Sequence, residues 1–289
     1  MKIKILIPVY NDFQSVSKLI RDINSVTSSL NKEFSIIIVN DASTEKTNIE
    51  ISNLDKINSI KVINIKDNQG HARCIATGLK YIYENEEFDY VIPMDGDGED
   101  RAEEVEKFVE FLKYDNKKPV VGERIKRSEG IIFKVSYNIH KLITFIFTGQ
   151  SIKFGNYTCL PKNTVEKMIN EKASWSSFSG SLAKLEKNRS TIPSIRGERY
   201  FGPSKMSFYN LIKHSLSIIA VFKTNVIFRS ILFFLIYLFL IFKNLSYVTS
   251  IPLLAVLVLV ISVLIISKRE NIVELNNALS NINNIDQLK

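Results

Sequence analysis

Four carboxylates, Asp95, Asp97, Glu99 and Asp100, fall within six residues, with Gly96 and Gly98 between them. Glycine permits a tight, irregular backbone, so such a turn can aim several acidic oxygens at one point. Hard divalent cations take oxygen ligands. Magnesium uses one or two carboxylates and fills its octahedron with phosphate oxygens and water, and manganese suits the same donors. The chemistry expected here is the holding of a Mg2+- or Mn2+-bound diphosphate by Asp95 and Asp97. An acidic, solvated turn is the plainer alternative, because Asp and Gly are common turn residues. A second charged stretch, residues 196–205, carries Arg196, Arg199 and Lys205 around Gly202 and Ser204. Cations and a serine around a glycine suit a phosphate, and a basic loop touching lipid headgroups is the alternative.

These residues need a frame. Residues 90–94 are apolar and read as a buried strand that stops at Asp95. The apolar runs 3–9, 34–39 and 60–65 read as further strands, the first ending near Pro8, which cannot donate to a ladder. Val16, Leu19, Ile20, Ile23, Val26 and Leu30 recur at helical spacing. Asn68-Gln69-Gly70 turns into a helix over 72–83, and Ser43 and Thr44 are placed to cap a helix after the second strand. Another helix is expected over 101–114, a short strand over 119–121 and one over 155–160. Strands alternating with helices imply a mostly parallel α/β sheet, in which ligands bind beyond the carboxyl ends of the strands. Asp12, Asp41, Gly70 and Asp95 all fall at those ends, so four loops converge on one crevice.

Composition narrows the class. The 289-residue chain is 45% hydrophobic, with a net charge of +8 from 38 basic and 30 acidic residues. A basic excess suits anionic lipid or phosphorylated substrates. No segment interleaves aromatic and basic residues as nucleic-acid modules do, so no nucleic-acid partner is expected. Cys74 and Cys159 have no ligand spacing and point to a reduced compartment. The first apolar run is too short and too charged for a signal peptide.

Pro8-Val9-Tyr10-Asn11-Asp12, Val39-Asn40-Asp41-Ala42-Ser43, Asn68-Gln69-Gly70 and Asp95-Gly96-Asp97 resemble, in order and spacing, the motifs of family 2 glycosyltransferases over about the first 130 residues. The resemblance implies a GT-A nucleotide-binding domain with a mostly parallel central sheet and a UDP- or GDP-sugar donor. It implies that Pro8, Tyr10 and Asp12 flank the nucleotide and that Asp41 contacts the base. Gly70 belongs to the donor site, and Asp95 and Asp97 hold the metal and diphosphate. Glu99 stands where related lipid-phosphate enzymes place a further polar ligand. Asn40 and Ala42 depart from the usual Asp and Gly, which bears on base identity more than on catalysis. A nucleotidyltransferase would show a Gly-rich basic loop after the first strand, and Tyr10-Asn11-Asp12-Phe13 is not one.

Family members that glycosylate a hydroxyl often carry a Glu-Asp pair in the acceptor region, whose Asp acts as general base. Residues 171–187 contain no Asp, only Glu171 and Glu186. A hydroxyl acceptor must lose a proton as it attacks, whereas a phosphate is already anionic at neutral pH. Arg199 through Lys205 resembles a segment of polyprenyl-phosphate glycosyltransferases, the branch of dolichol-phosphate mannose synthase and bactoprenol glucosyltransferase. The expected acceptor is therefore a polyprenyl phosphate, held by Arg124, Lys134, Arg199, Ser204 and Lys205. Asp95, Asp97, Arg199 and Lys205 are the expected catalytic set. The alternative is a hydroxyl of a cell-surface polysaccharide, lipopolysaccharide or glycolipid.

The remainder is apolar. Residues 131–147 and 207–223 read as amphipathic helices, the second lying at a bilayer interface. His140 is expected on a helix surface. Residues 226–242 and 247–267 are long enough to span a bilayer. Lys223 and Arg229 precede the pair and Lys268 and Arg269 follow it, which places both ends in the cytoplasm. The expected organisation is a catalytic domain over 1–206, an interface helix over 207–224, two transmembrane helices over 225–268 and a polar, helical cytoplasmic tail over 269–289. This predicts a multi-pass protein of the cytoplasmic membrane with its catalytic domain facing the cytoplasm, and a homo-oligomer stays open.

Overall fold

A computed structural model describes residues 1–46, 49–115, 117–126, 131–203 and 207–289. The first strand, β1 (Lys2–Val9), is buried almost throughout. Its odd residues, Ile3, Ile5 and Ile7, join one core, and Leu6 joins another. A strand apolar on both faces is one that helices cover on both sides, as in parallel sheets. Helix α1 (Phe13–Val26) lies on the first face, with Val16, Leu19, Ile20 and Ile23 inward. Strands β2 (Glu33–Asn40) and β3 (Ile57–Ile65) follow, then α2 (His71–Asn85) on the opposite face and β4 (Tyr90–Pro93). Helix α3 (Glu104–Phe111) packs beside α1, and β5 (Val120–Lys126) leads to α4 (Ile131–Thr148). Next come β6 (Thr158–Pro161), α5 (Lys162–Ile169), α6 (Phe178–Leu185) and β7 (Ser190–Ile195).

The sheet order is β7-β5-β6-β4-β1-β2-β3, with an eighth strand beyond β3. Strands β1 to β4 pair in parallel, and β6 runs antiparallel to both β4 and β5. The chain winds outward from β1 through β2 to β3, then returns to lay β4 on the other side of β1. The switch point, where crevices open in α/β sheets, is therefore between the carboxyl ends of β1 and β4. Asp12 and Asp95 leave the sheet there.

The C-terminal quarter holds α7 (Phe208–Ala220), α8 (Lys223–Ile241) and α9 (Tyr247–Ser267). The last two are long and apolar enough to cross a membrane and are mostly uncovered by protein. They form a hairpin whose base packs on α4 and α7 through Phe147, Ile219, Val226, Val256 and Val263. Arg229 near the start of α8 donates to the carbonyl of Ile146 at 2.9 Å, and Asn225 donates to that of Thr148 at 3.0 Å. The cation thus caps the last turn of α4, which accounts for an arginine in an apolar helix. Leu142, Phe145 and Ile146 of α4 remain exposed.

Two expectations are corrected. Among the described residues no helix joins β2 to β3. Ser43 instead accepts a hydrogen bond from Asn11 N at 2.8 Å, tying the β2 loop to the β1 loop. Nor is the stretch after Ser267 a free helical tail. It forms α10 (Ile272–Asn276) and then β8 (Ile282–Gln287), which pairs antiparallel with the edge of β3. Asn64 donates to Asp286 at 2.7 Å, and Trp175 Nε1 donates to Glu274 at 2.6 Å. The strand covers an edge that would otherwise present unpaired backbone groups. Deleting residues 271–289 should lower the melting temperature of the purified protein by about 5–10 °C. Thermal unfolding followed by Trp175 fluorescence checks this, and an unchanged melting temperature would show that the strap carries no stability.

Candidate active site

The backbone leaves β4 through Met94, whose N–H still donates to Leu6 O at 3.0 Å. The turn then closes on itself: Asp95 N donates to the Asp100 carboxylate at 2.9 Å and Glu99 N to Asp97 Oδ1 at 2.9 Å. Both glycines are required. A Cβ on Gly96 would lie 2.9 Å from Val16 Cγ2, and Gly98 has φ +91° with the Tyr200 ring against it.

The segment 196–200 is laid over this turn. Gly197 N donates to Glu99 O at 2.8 Å and Tyr200 N to Asp97 O at 2.9 Å, while Tyr200 Oη is fastened to Asp22 at 2.6 Å. Two motifs about 100 residues apart thus meet. Arg199 forks between Asp97 and Asp12, reaching the latter at 2.9 Å, and Arg196 pairs with Glu99. Arg124 lies within β5, facing Asp100 at 3.8 Å. Two further residues, unforeseen from the sequence, hold Asp95: His71 Nε2 at 2.7 Å and Asn156 Nδ2 at 3.0 Å.

The electrostatics of the turn are uneven. Burial pushes the Asp95 carboxyl up, but His71, Arg124 and Arg196 outweigh it and hold the group well below the usual range. Burial and the charge on Asp95 push Asp97 up to about 6, against the Glu99 N–H and Arg199. Burial and Asp95 likewise push Asp100 up to about 7. Buried carboxylates crowd one another here more than the surrounding cations can offset, a situation a divalent cation relieves.

The donor set fits such an ion. Among the described residues no three His, Cys, Asp or Glu side chains form a metal cluster. Two carboxylates completed by phosphate oxygens are the magnesium and manganese pattern. Glu99, expected as a third donor, pairs with Arg196 as Asp97 pairs with Arg199.

Asp41 is buried and accepts from Gln69 N at 2.6 Å and Gly70 N at 2.9 Å, so its carboxylate fastens the loop that opens α2. Gly70 has φ +85°, which favours glycine. Pro8 is buried in β1 and Tyr10 is exposed beside the crevice mouth. The side chain of Lys134, like Ser204 and Lys205, lies outside the described residues. A cavity of about 510 Å³ lined by Met1, Tyr90 and Lys162 opens at the amino ends of β1 and β4, away from this chemistry.

A family model described as glycosyl transferase family 2 matches residues 4–171. Among solved structures, glucosyl-3-phosphoglycerate synthase from Mycobacterium tuberculosis with Mn2+, UDP and glucosyl-3-phosphoglycerate is 12% identical. The match has a TM-score of 0.51 and covers 78% of this chain and 80% of that one. The same enzyme with Mn2+, UDP-glucose and phosphoglyceric acid is 11% identical, TM-score 0.53, over 78% and 79%. TarS of S. aureus is 14% identical, TM-score 0.48, over 80% of this chain, which spans 42% of the TarS chain.

Proposed function

Because the chain belongs to glycosyltransferase family 2, we propose that it moves a sugar from a nucleotide-diphosphate sugar to a polyprenyl phosphate at a membrane. The observation that carries this reading is Arg199. It belongs to the segment running into α7 and the apolar hairpin, yet its guanidinium reaches Asp97 and Asp12 in the crevice. A lipid headgroup at that boundary would meet the sugar while its tail stays in the bilayer.

The acceptor region agrees. Glu171 pairs with Lys184 at 2.9 Å, and Glu186 with Lys167 at 2.7 Å. Both carboxylates are engaged in structural pairs, which leaves them poorly placed to take a proton from a hydroxyl. A phosphate oxygen needs no such base. It attacks the anomeric carbon from the face opposite the diphosphate. A new C–O bond forms as the bond to the diphosphate oxygen breaks, and the anomeric configuration inverts.

Asp95 and Asp97 would hold Mg2+ or Mn2+, which supplies neutralisation of the charge that collects on the leaving diphosphate. Asp95 is kept ionised for this by His71 and the arginines. Arg199 and Arg124 balance charge on the acceptor side, with Ser204, Lys205 and Lys134 as further phosphate contacts. The Mycobacterium tuberculosis enzyme binds Mn2+ and UDP on the same fold, which supports a divalent ion and a nucleotide sugar here. The apolar hairpin supports an integral protein of the cytoplasmic membrane, with residues 1–206 as the catalytic domain, facing the cytoplasm where nucleotide sugars are available. The return of β8 to β3 supports placing both ends of the hairpin on that side.

Membranes carrying the protein, given labelled nucleotide sugars, should place label in an acid-labile lipid phosphate. Label confined to alkali-stable polysaccharide would favour the hydroxyl-acceptor reading instead.

A further inference from the structure

Among the described residues, carboxylates from three distant stretches hold the start of α2. Asp41, after β2, accepts from the N–H groups of Gln69 and Gly70 at 2.6 and 2.9 Å. Asp95, after β4, lies 2.7 Å from His71 Nε2. The third is Glu274 of α10, beyond the hairpin, whose Oε2 meets Arg73 Nη2 at 3.1 Å. Negative charge is favourable at a helix N-terminus, but Glu274 acts there on a side chain. Arg73 Nη1 in turn donates to the Gln69 side chain at 3.1 Å. Gln69 is thus fastened twice, by its backbone to Asp41 and by its side chain to Arg73. The Arg73 guanidinium also lies over the Trp175 ring at 5.1 Å, and Trp175 Nε1 donates to the same Glu274 oxygen at 2.6 Å.

Glu274 is itself built into place. Asn271 donates to its Oε1 at 3.0 Å and caps α10 by accepting from Val273 N and Glu274 N. Both carboxylate oxygens are therefore engaged, although the side chain is half-exposed. Leu275 and Ala278 are buried with Ala76 of α2 and Trp175, and β8 pairs with β3, so the segment stays docked without the Glu274 charge. We propose that Glu274 is a positioning residue for the donor nucleotide: through Arg73 it fixes Gln69, and with it the loop 68–70 that opens α2. The inference rests on reading that loop as part of the nucleotide site. A loop fixed in advance loses less conformational freedom when the ligand arrives, so the restraint is read as affinity. Nucleotide binding thereby depends on the segment that follows the hairpin.

Full-length protein in neutral detergent is titrated calorimetrically with UDP and with GDP in the presence of Mn2+. For the nucleotide that the wild type binds, Glu274→Gln should raise Kd about three- to fivefold, the scale of a half-exposed charge pair. Its melting temperature should stay within about 2 °C of wild type, because the strap keeps its apolar anchors and its strand. Arg73→Gln should raise Kd by a similar factor. The double variant should be no weaker than the weaker single, because the two side chains act in series on Gln69. A wild-type Kd in Glu274→Gln, with or without a lower melting temperature, would overturn the positioning role. So would a double variant whose loss is the product of the single losses, since Glu274 would then act independently of Arg73. Wild-type protein that binds neither nucleotide would overturn the nucleotide-donor reading itself, and the inference with it.

Discussion

Asp97→Ala should reduce sugar transfer by about three orders of magnitude or more while leaving the fold intact. The turn that holds Asp97 is closed by the Asp95 N–H on Asp100 and by the Tyr200 and Gly197 N–H groups on carbonyls. Among the described residues the Asp97 side chain contributes the bond from Glu99 N and its pairing with Arg199. In the free protein, burial and Asp95 already oppose its ionisation, so removing it should not lower the melting temperature. Asp97→Asn keeps the volume and the acceptor for Glu99 N but removes the charge, and it should be nearly as inactive as alanine. Transfer assays, with circular dichroism to confirm folding, check both. Normal activity in either variant, or full wild-type activity in excess EDTA, would remove the metal assignment.

Arg199→Ala should lower kcat/KM for the lipid phosphate by about a hundredfold, the scale of losing a bidentate, charge-assisted contact in a secluded site. Its guanidinium joins the loops after β1 and β4 through Asp12 and Asp97, so the variant also leaves two carboxylates facing each other without a cation. UDP affinity should stay within about twofold. Arg199→Lys should recover only part of the loss, because an ammonium is a point charge and cannot fork between two carboxylates. If UDP affinity falls as far as kcat/KM, Arg199 acts on the donor diphosphate and the acceptor role passes to the other cations.

The parts legible in the sequence were those written locally. Strands β1, β2 and β4 announce themselves because both faces are buried and the runs are apolar. The clustering of Asp12, Asp41 and Asp95 at strand ends follows from the alternation of elements. The rest depends on partners distant in the chain. His71 and Asn156 reach Asp95 only because α2 and the loop before β6 open at the same end of the sheet. No spacing signals them, although His71 directly follows the Asn68-Gln69-Gly70 motif. Strand β8 is rich in Asn and largely exposed, so it has no apolar alternation; its register comes from β3 and from Asn64 on Asp286. Strand β7 was missed for a similar reason, since half of it faces solvent and Pro193 interrupts its pattern. The β2 to β3 connection kept its polar loop chemistry but used Ser43 across loops, where a helix cap was expected.

The reaction proposed is the passage of a sugar from a nucleotide to a lipid phosphate over the Asp95–Asp97 turn. Its most direct test incubates the purified full-length protein with Mg2+ or Mn2+, a polyprenyl phosphate and a panel of UDP- and GDP-sugars, and analyses the organic phase by mass spectrometry. A glycosyl-phosphoryl lipid should form from one donor and be absent with Asp97→Ala. If native membranes release nucleotide from a donor in the panel, yet the purified protein glycosylates no lipid phosphate with it, a lipid phosphate is not the acceptor.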